Sequence, residues 1–145
     1  MIEVDMMPSS SKLLEACGHL ARIAGQDGKQ PVCFAVVDRS GALRCFHRMD
    51  SAPVRLVSIA IGKAYTAARM ETSTVAFQAR LAKEALTLAD FCDYGLTTLP
   101  GGIPLRKDER VFGAVGVSGR ALEDDNALAE FFVRIIEGYE QGSTG

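Results

Sequence analysis

Apolar side chains recur every three or four positions in four stretches of the chain, a spacing that is typical of amphipathic helices. Serines precede the first stretch and can cap a helix. Acidic residues precede the last stretch, where they complement the positive end of a helix dipole. We therefore predict helices from Ser9–Ser11 to Gly25, over residues 54–69, over residues 75–89 with a break favoured at Thr87, and after Glu123-Asp124-Asp125.

Two other parts of the chain concentrate β-branched and aromatic residues between turn signals, which predicts two β-hairpins. The first turn is Asp38-Arg39-Ser40-Gly41, in which Asp can bond its own backbone and Gly can take a positive φ. The second turn is the charged segment 107–110. The predicted strands that flank these turns cover residues 32–37, 42–49, 103–106 and 111–118.

The order of these elements predicts a single α/β domain of the α+β kind over residues 1–145, with one antiparallel sheet of about five strands flanked by helices. Gly116 lies among apolar residues of the last strand, where a neighbouring segment must approach the backbone closely. Small residues dominate the apolar side of the second helix from Ala60 to Ala68, which suits close packing on a sheet or on a second copy of the chain. We expect a homo-oligomer.

The composition agrees with one buried core, since 48% of the 145 residues are hydrophobic and 23% are charged. The formal net charge of −2 is spread without a basic patch, so nucleic acid is not an expected partner. No apolar run reaches the roughly 18 residues of a membrane span, and the N-terminal segment lacks the pattern of a signal peptide. These features favour a cytoplasmic protein without a membrane partner.

The four cysteines, Cys17, Cys33, Cys45 and Cys92, lack the Cys-x-x-Cys or Cys/His spacing of metal sites. A domain of this size needs no disulfides, so we expect reduced thiols that are mostly buried. Cys33 and Cys45 lie on neighbouring predicted strands and could approach each other. Strand cysteines nevertheless usually serve as small core residues.

The sequence contains no nucleophile elbow, phosphate-binding loop, zinc-protease helix or dinucleotide-binding fingerprint, so its catalytic residues are unknown. His19 shares the polar side of the first helix with Lys12, Glu15 and Arg22, and is expected to be exposed. It is either a solvated imidazole or a ligand whose site is completed by a loop or a neighbouring chain. His47 lies on a strand, where a solvated or packed side chain is the simpler interpretation.

Two further groups are candidates for binding. Gly101 and Gly102 follow Pro100, and the successive N–H groups of such a loop can bind a carboxylate, although ordinary turn and packing roles explain the same glycines. Lys63 lies at the edge of the apolar side of the second helix. Burial would lower its pKa and make it a base or a carboxylate partner, whereas a lysine that extends to solvent is the commoner outcome.

Five segments, spread in order over nearly the whole chain, together resemble one family. They are Ala35-Val36-Val37-Asp38-Arg39-Ser40-Gly41, Arg48-Met49-Asp50-Ser51-Ala52, Gly62-Lys63-Ala64-Tyr65-Thr66-Ala67, Leu99-Pro100-Gly101-Gly102-Ile103-Pro104 and Gly113-Ala114-Val115-Gly116-Val117-Ser118-Gly119. The set resembles the GlcG/HbpS-like haem-binding family, which includes the C-terminal domain of PduO-type corrinoid adenosyltransferases. Two positions depart from the family pattern: Ser51 replaces the usual Gly, and Asp108-Glu109-Arg110 replaces the usual Asp-Gly turn.

The resemblance implies a profilin-like fold and assembly into dimers or larger oligomers. Some members bind haem, one of them through a histidine of the first helix, and a haem-degrading role is attached to the family. His19 matches that metal ligand, and Arg22 is a candidate partner of a haem propionate. Lys63, Gly101 and Gly102 are the remaining candidate cofactor contacts. Members encoded with diol or glycerol utilisation systems imply a link to that metabolism or to cobalamin.

Three functions stay open on the sequence. The first is an oligomeric accessory protein that binds haem or a related tetrapyrrole. The second is an enzyme that acts on a small metabolite or on haem itself, in a pocket at the Gly101-Gly102 loop with Lys63 as its ionisable group. The third is a structural or chaperone-like partner of a cobalamin-dependent pathway, which needs no ligand.

Overall fold

A computed structural model describes residues 6–142 of the chain. Apart from the end of the third helix, each predicted helix and strand is found within a few residues of its expected bounds, and a short 3-10 helix, Leu88–Phe91, lies between the third helix and the third strand. No helix in the described range is long and apolar enough to cross a membrane. The elements are α1 (Ser10–Gln26), β1 (Cys33–Asp38), β2 (Leu43–Arg48), α2 (Leu56–Met70), α3 (Thr74–Glu84), β3 (Gly102–Lys107), β4 (Arg110–Ser118) and α4 (Leu122–Gly142).

The strands of the described residues form one antiparallel sheet in the order β2-β1-β4-β3. The two predicted hairpins are joined along β1 and β4, which places the first and last strands of the sequence, β1 and β4, in the centre and leaves β2 and β3 at the edges. The expected mixed α/β class is confirmed, but the expected number of about five strands is wrong. The long segment between α2 and β3 forms α3 and the 3-10 helix and adds no strand to the sheet.

Helices cover both faces of the sheet, and alternate residues of β1 show the division. Phe34 and Val36 pack with α1 and α4 in the larger core cluster. Ala35 and Val37 point the other way and pack against the alanines of α2. The small residues of α2 are therefore used for close packing on the protein's own sheet, which is one of the two roles expected of them.

The third helix is shorter than its apolar pattern predicts. It ends at Glu84, because Ala85 takes a left-handed conformation with φ of 54° and its N–H bonds back to the helix. The break favoured at Thr87 is confirmed: the Thr87 side chain and Asp90 cap the 3-10 helix reciprocally. Periodicity alone cannot detect this end, since Ala is a good helix former and the left-handed turn is set by the packing around it.

Two paired glycines let α2 lie directly on the sheet. Gly102 and Gly116 are register partners across β3 and β4. A Cβ atom on Gly102 would clash with the Lys63 carbonyl oxygen, and one on Gly116 would clash with the Ala60 carbonyl oxygen. The close approach expected at Gly116 is therefore confirmed, and the segment that approaches is the backbone of α2.

The second hairpin turn is built from residues that disfavour its conformation. Asp108 and Glu109 have φ of 52° and 67°, and Ser51, the other departure from the family pattern, has φ of 69°. A two-residue hairpin loop with positive φ at both positions favours Asn-Gly or Asp-Gly. Both departures thus place a side chain where glycine would be unstrained.

We predict that Glu109→Gly raises the free energy of unfolding by about 0.5–1 kcal/mol, because a left-handed residue other than glycine costs about 1–2 kcal/mol. Part of that gain is lost to the greater freedom of glycine in the unfolded chain. Urea denaturation of the variant measures the effect. Glu109→Ala serves as the control, since it removes the same charge but keeps the Cβ atom, and stabilisation by both variants would show that the backbone conformation is not the cause.

Candidate functional site

One candidate binding site is an open pocket between α1 and α4. It encloses about 750 Å³, within the range of roughly 300–1,000 Å³ that is usual for small-molecule sites. Phe131, Ile135 and Tyr139 of α4 form its apolar wall. The opposite wall comes from α1 and carries polar side chains, so the pocket combines an apolar surface with a few groups able to orient a ligand.

His19 lies on the α1 wall of this pocket and is half-buried. The sequence predicted an exposed side chain, and that prediction is wrong because α4 runs alongside the polar side of α1. Leu13, Cys17 and Leu20 fill the sheet-facing side of the same helix. The periodicity of α1 thus located its core side but could not show what covers its flank.

Two cations lie at the pocket, one from each helix. Lys12 comes from α1 and Arg134 from α4. The Arg134 guanidinium carbon lies 5.5 Å from the centre of the Phe131 ring, so it rests over the edge of the apolar wall. Glu15 is the acidic residue of the lining. The rim therefore offers positive charge next to an apolar surface that a planar ligand could contact.

Arg22 does not line this pocket. It is exposed, lies about 60° further round α1 than His19, and its Nη1 reaches back towards Gly18. The cations that share the pocket with His19 are instead Lys12 and Arg134. A role for Arg22 towards a ligand carboxylate stays a prediction from the sequence.

The width of the apolar face of α4 is a sequence signal from which the α4 wall could have been predicted. The apolar face of α4 extends from Leu128 and Phe132, which are buried in the core, to Phe131, which is only partly buried. Phe131 and Phe132 point about 100° apart on a helix, so one sheet cannot cover both. An apolar stripe wider than the core requires a second contact surface, and Arg134, Gly138 and Tyr139 lie on that flank.

An arginine outside the pocket connects α1 and α4, the two helices that form the pocket. Arg120, in the loop before α4, bonds both carboxylate oxygens of Asp27 at the end of α1, with the shorter N–O distance at 2.6 Å. Its guanidinium also donates to the carbonyl oxygens of Ala24 and Gln30. Bidentate arginine pairs fix geometry as well as contributing energy. The spacing between the ends of the two pocket helices is therefore set by this contact.

Lys63 lies on the opposite face of the sheet and is only 1% exposed. Its Nζ donates to the Val117 carbonyl oxygen at 2.8 Å and to Asp125 Oδ2 at 3.1 Å. Burial lowers the pKa of Lys63, while the neighbouring carboxylate partly offsets that effect. Asp125 also accepts hydrogen bonds from the backbone N–H groups of Gly119 and Arg120. The lysine is thus part of a buried polar network that joins α2 to the start of α4.

Gly101 and Gly102 lie beside this network and are buried. The Gly102 N–H donates to the Thr74 hydroxyl at 3.0 Å, so it is already satisfied within the protein. A Cβ atom on Gly101 would lie 3.0 Å from Lys63 Nζ. The structure therefore brings Lys63, Gly101 and Gly102 together but places them across the sheet from His19, and their contacts are those of packing.

The second histidine does not line the pocket either. His47 is exposed at the edge strand β2, and its ring centre lies 5.2 Å from that of Phe34, its register partner on β1. Across residues 6–142, no group of three or more His, Cys, Asp or Glu side chains is arranged to hold a metal ion. A metal held by His19 would need its other ligands from a prosthetic group or from outside these residues.

Comparison with known proteins identifies relatives of this chain. A profile of the family described as haem degrading protein HbpS-like matches residues 10–133. An uncharacterised 15.0 kDa protein encoded in the dhaT-dhaS intergenic region of Citrobacter freundii is 38% identical over 104 residues, covering 69% of this chain and 72% of the relative. Corrinoid adenosyltransferase PduO of the same organism is 27% identical over 134 residues, covering 89% of this chain but only 40% of PduO.

The fold of this chain is also similar to that of a solved structure. The crystal structure of a PduOC:heme complex superposes with a TM-score of 0.78 at 26% identity, over 90% of this chain and 95% of the other. The family resemblance drawn from the five sequence segments is thereby confirmed, including its connection to PduO. By the extent of the profile match, this chain belongs to the HbpS-like family.

Proposed function

We propose that the protein binds haem, or a related tetrapyrrole, in the pocket between α1 and α4, with His19 as the axial ligand of the metal. The observation that carries the proposal is the half-buried imidazole on the wall of an apolar pocket with cations at its rim. Imidazole is a common axial ligand of haem iron. When bound, the haem would supply an iron centre for electron transfer or for binding a small molecule.

The lining of the pocket fits the chemistry of such a ligand. Phe131, Ile135 and Tyr139 offer an apolar wall for a flat macrocycle. Lys12 and Arg134 lie where they can pair with two carboxylates, and Arg134 offers the planar fork that suits them. The relative solved as PduOC:heme complex supports haem as the ligand.

Titration of haem into the wild-type protein and the His19→Ala variant tests the proposal. We expect a shifted Soret band in the wild type and the loss of most of the affinity in the variant. His47→Ala is the matched control, because it removes the other histidine from an exposed position outside the pocket, and it should bind like the wild type.

The absence of a Soret shift in the wild-type protein would contradict haem binding. Equal affinities of wild type and His19→Ala would contradict the role of His19 even if haem binds. Turnover of added haem, with loss of the Soret band over time, would favour the haem-degrading alternative. If that turnover were lost in a Lys63 variant, the reaction would take place on the other face of the sheet.

We also propose that the protein is a cytoplasmic homo-oligomer that acts as an accessory in diol, glycerol or cobalamin metabolism. Leu43 and Val54 are 49% and 66% exposed, and contact with a second copy would remove such apolar side chains from water. The match to part of a corrinoid adenosyltransferase supports the metabolic link. Light scattering at micromolar concentration should give at least twice the mass of one chain, and a monomer would contradict the oligomer.

A further inference from the structure

Two cysteines from distant parts of the chain meet below the pocket helix α1. Cys17 Sγ of α1 lies 3.0 Å from Cys45 Sγ of β2. Their exposed fractions are 5% and 8%, respectively. Both are free thiols, and β2 is an edge strand of the sheet. The possible approach of Cys33 to Cys45 is not seen, because Cys33 points to the α2 side of the sheet, and Cys33 is a buried core residue as favoured by the sequence.

This separation is closer than simple packing of two core residues requires. A disulfide bond is about 2.05 Å long, so the two sulfurs need to approach by only about 1 Å to become bonded. Cys17 and Cys45 are 28 positions apart and lie on a helix and a strand that already pack together. The fold has therefore brought the pair together before any oxidation.

The surroundings of Cys45 lower the pKa of its thiol. The hydrogen bond between Cys17 and Cys45 lowers the pKa of Cys45 to about 7, while burial acts in the opposite direction. Arg44, its neighbour on β2, also lowers this pKa. The thiolate is the reactive form of cysteine. The 3.0 Å contact therefore places a resolving thiol, Cys17, directly beside Cys45.

We propose that Cys17 and Cys45 form a redox-active dithiol, which a hydroperoxide converts into an intramolecular disulfide linking α1 to β2. The Cys45 thiolate attacks the peroxide, forming an S–O bond and breaking the O–O bond, and the leaving oxygen takes up a proton. The Cys17 sulfur then attacks the resulting sulfenic acid, forming the S–S bond and releasing water. In sum, two thiols are oxidised while one hydroperoxide is reduced to an alcohol, or to water when it is hydrogen peroxide.

The proposal is independent of haem binding. Its structural consequence is a covalent link from the helix that carries His19 to the sheet edge. Such a link closes a loop of nearly thirty residues and restricts the unfolded chain, so the oxidised protein should melt roughly 5 °C or more above the reduced protein. A dithiol reductant should reverse both the bond and the shift.

The experiment uses the full chain with Cys92→Ser, which removes the exposed thiol. The protein is treated with hydrogen peroxide, denatured, alkylated, digested and examined by mass spectrometry with and without reductant. We expect the loss of two alkylatable thiols, a linked pair of peptides containing Cys17 and Cys45, and recovery of both thiols on reduction. Cys33→Ser, the buried control, should give the same result, and Cys17→Ser should leave a sulfenic acid on Cys45 that dimedone traps.

Several results would overturn the proposal. If the folded Cys92→Ser protein retains all three of its thiols after peroxide treatment, the proposal is wrong. This outcome does not depend on whether the Cys17 or Cys45 variants fold. A linked peptide containing Cys33, or unchanged thiol loss in both Cys17→Ser and Cys45→Ser, would likewise exclude this pair.

Discussion

Lys63→Met is expected to lower the free energy of unfolding by about 3–5 kcal/mol, because it leaves the buried Asp125 carboxylate without its cation. Lys63 and Asp125 side chains are 1% and 2% exposed, so water cannot replace the lost partner. Methionine retains most of the aliphatic stem, which separates the loss of charge from the loss of packing. Urea denaturation followed by circular dichroism measures the change.

Two variants make this prediction specific. Lys63→Met/Asp125→Asn should be more stable than Lys63→Met alone, because the amide removes the unpaired charge and its oxygen can still accept the backbone N–H of Arg120. Arg80→Ala should cost no more than about 0.5 kcal/mol, since its ion pair with Glu84 is half exposed on one helix. A loss below 1 kcal/mol in Lys63→Met would contradict the structural role that we assign to this lysine.

The second large effect is expected from Gly116→Val, which should lose about 3 kcal/mol or more of stability or fail to fold. A Cβ atom at Gly116 would meet the Ala60 carbonyl oxygen and lie 2.6 Å from the Ala64 nitrogen. Both atoms belong to the backbone of α2, which cannot move aside as a flexible side chain can. Overpacking of a core commonly costs about 1–3 kcal/mol, and a backbone clash belongs at the upper end of that range.

Gly138→Ala is the matched control for added volume at a glycine. Nothing lies within 4 Å of the position that a Cβ atom would occupy there, and Gly138 is within α4. Alanine should therefore stabilise the helix by up to about 1 kcal/mol. Thermal melts of both variants decide the matter, and an unchanged melting temperature in Gly116→Val would show that α2 does not need this close approach.

Local sequence signals predicted the fold well where one segment determines its own conformation. The Asp38 turn is an example: the Asp38 carboxylate accepts bonds from the Ser40 and Ala42 backbone N–H groups, as its position before Gly41 suggested. The left-handed Ala85 and the number of strands were not predicted. Each depends on how separate elements pack, and the periodicity of one segment carries no information about its neighbour.

In the candidate site, too, the sequence predicted what a single helix determines and missed what depends on the packing of two helices. His19 was selected by its place on the polar side of α1 and by the family resemblance, but Arg134 and Tyr139 join it only because α4 packs beside α1. The contact between Cys17 and Cys45 was not predicted either, because it depends on how α1 packs on β2. Strand alternation, with Val36 opposite Cys45 and Cys33 opposite Arg48, does exclude the Cys33 pairing once the hairpin register is known.

The most direct test of the proposed haem site is chemical rescue of the His19→Gly variant. The variant should retain its far-ultraviolet circular dichroism and bind haem weakly, and free imidazole should restore the wild-type Soret spectrum by occupying the space left beside α4. Haem with imidazole alone, and wild-type protein with imidazole, provide the reference spectra. A His19→Gly protein that binds haem with wild-type affinity and spectrum in the absence of imidazole would contradict ligation by His19 in the α1–α4 pocket.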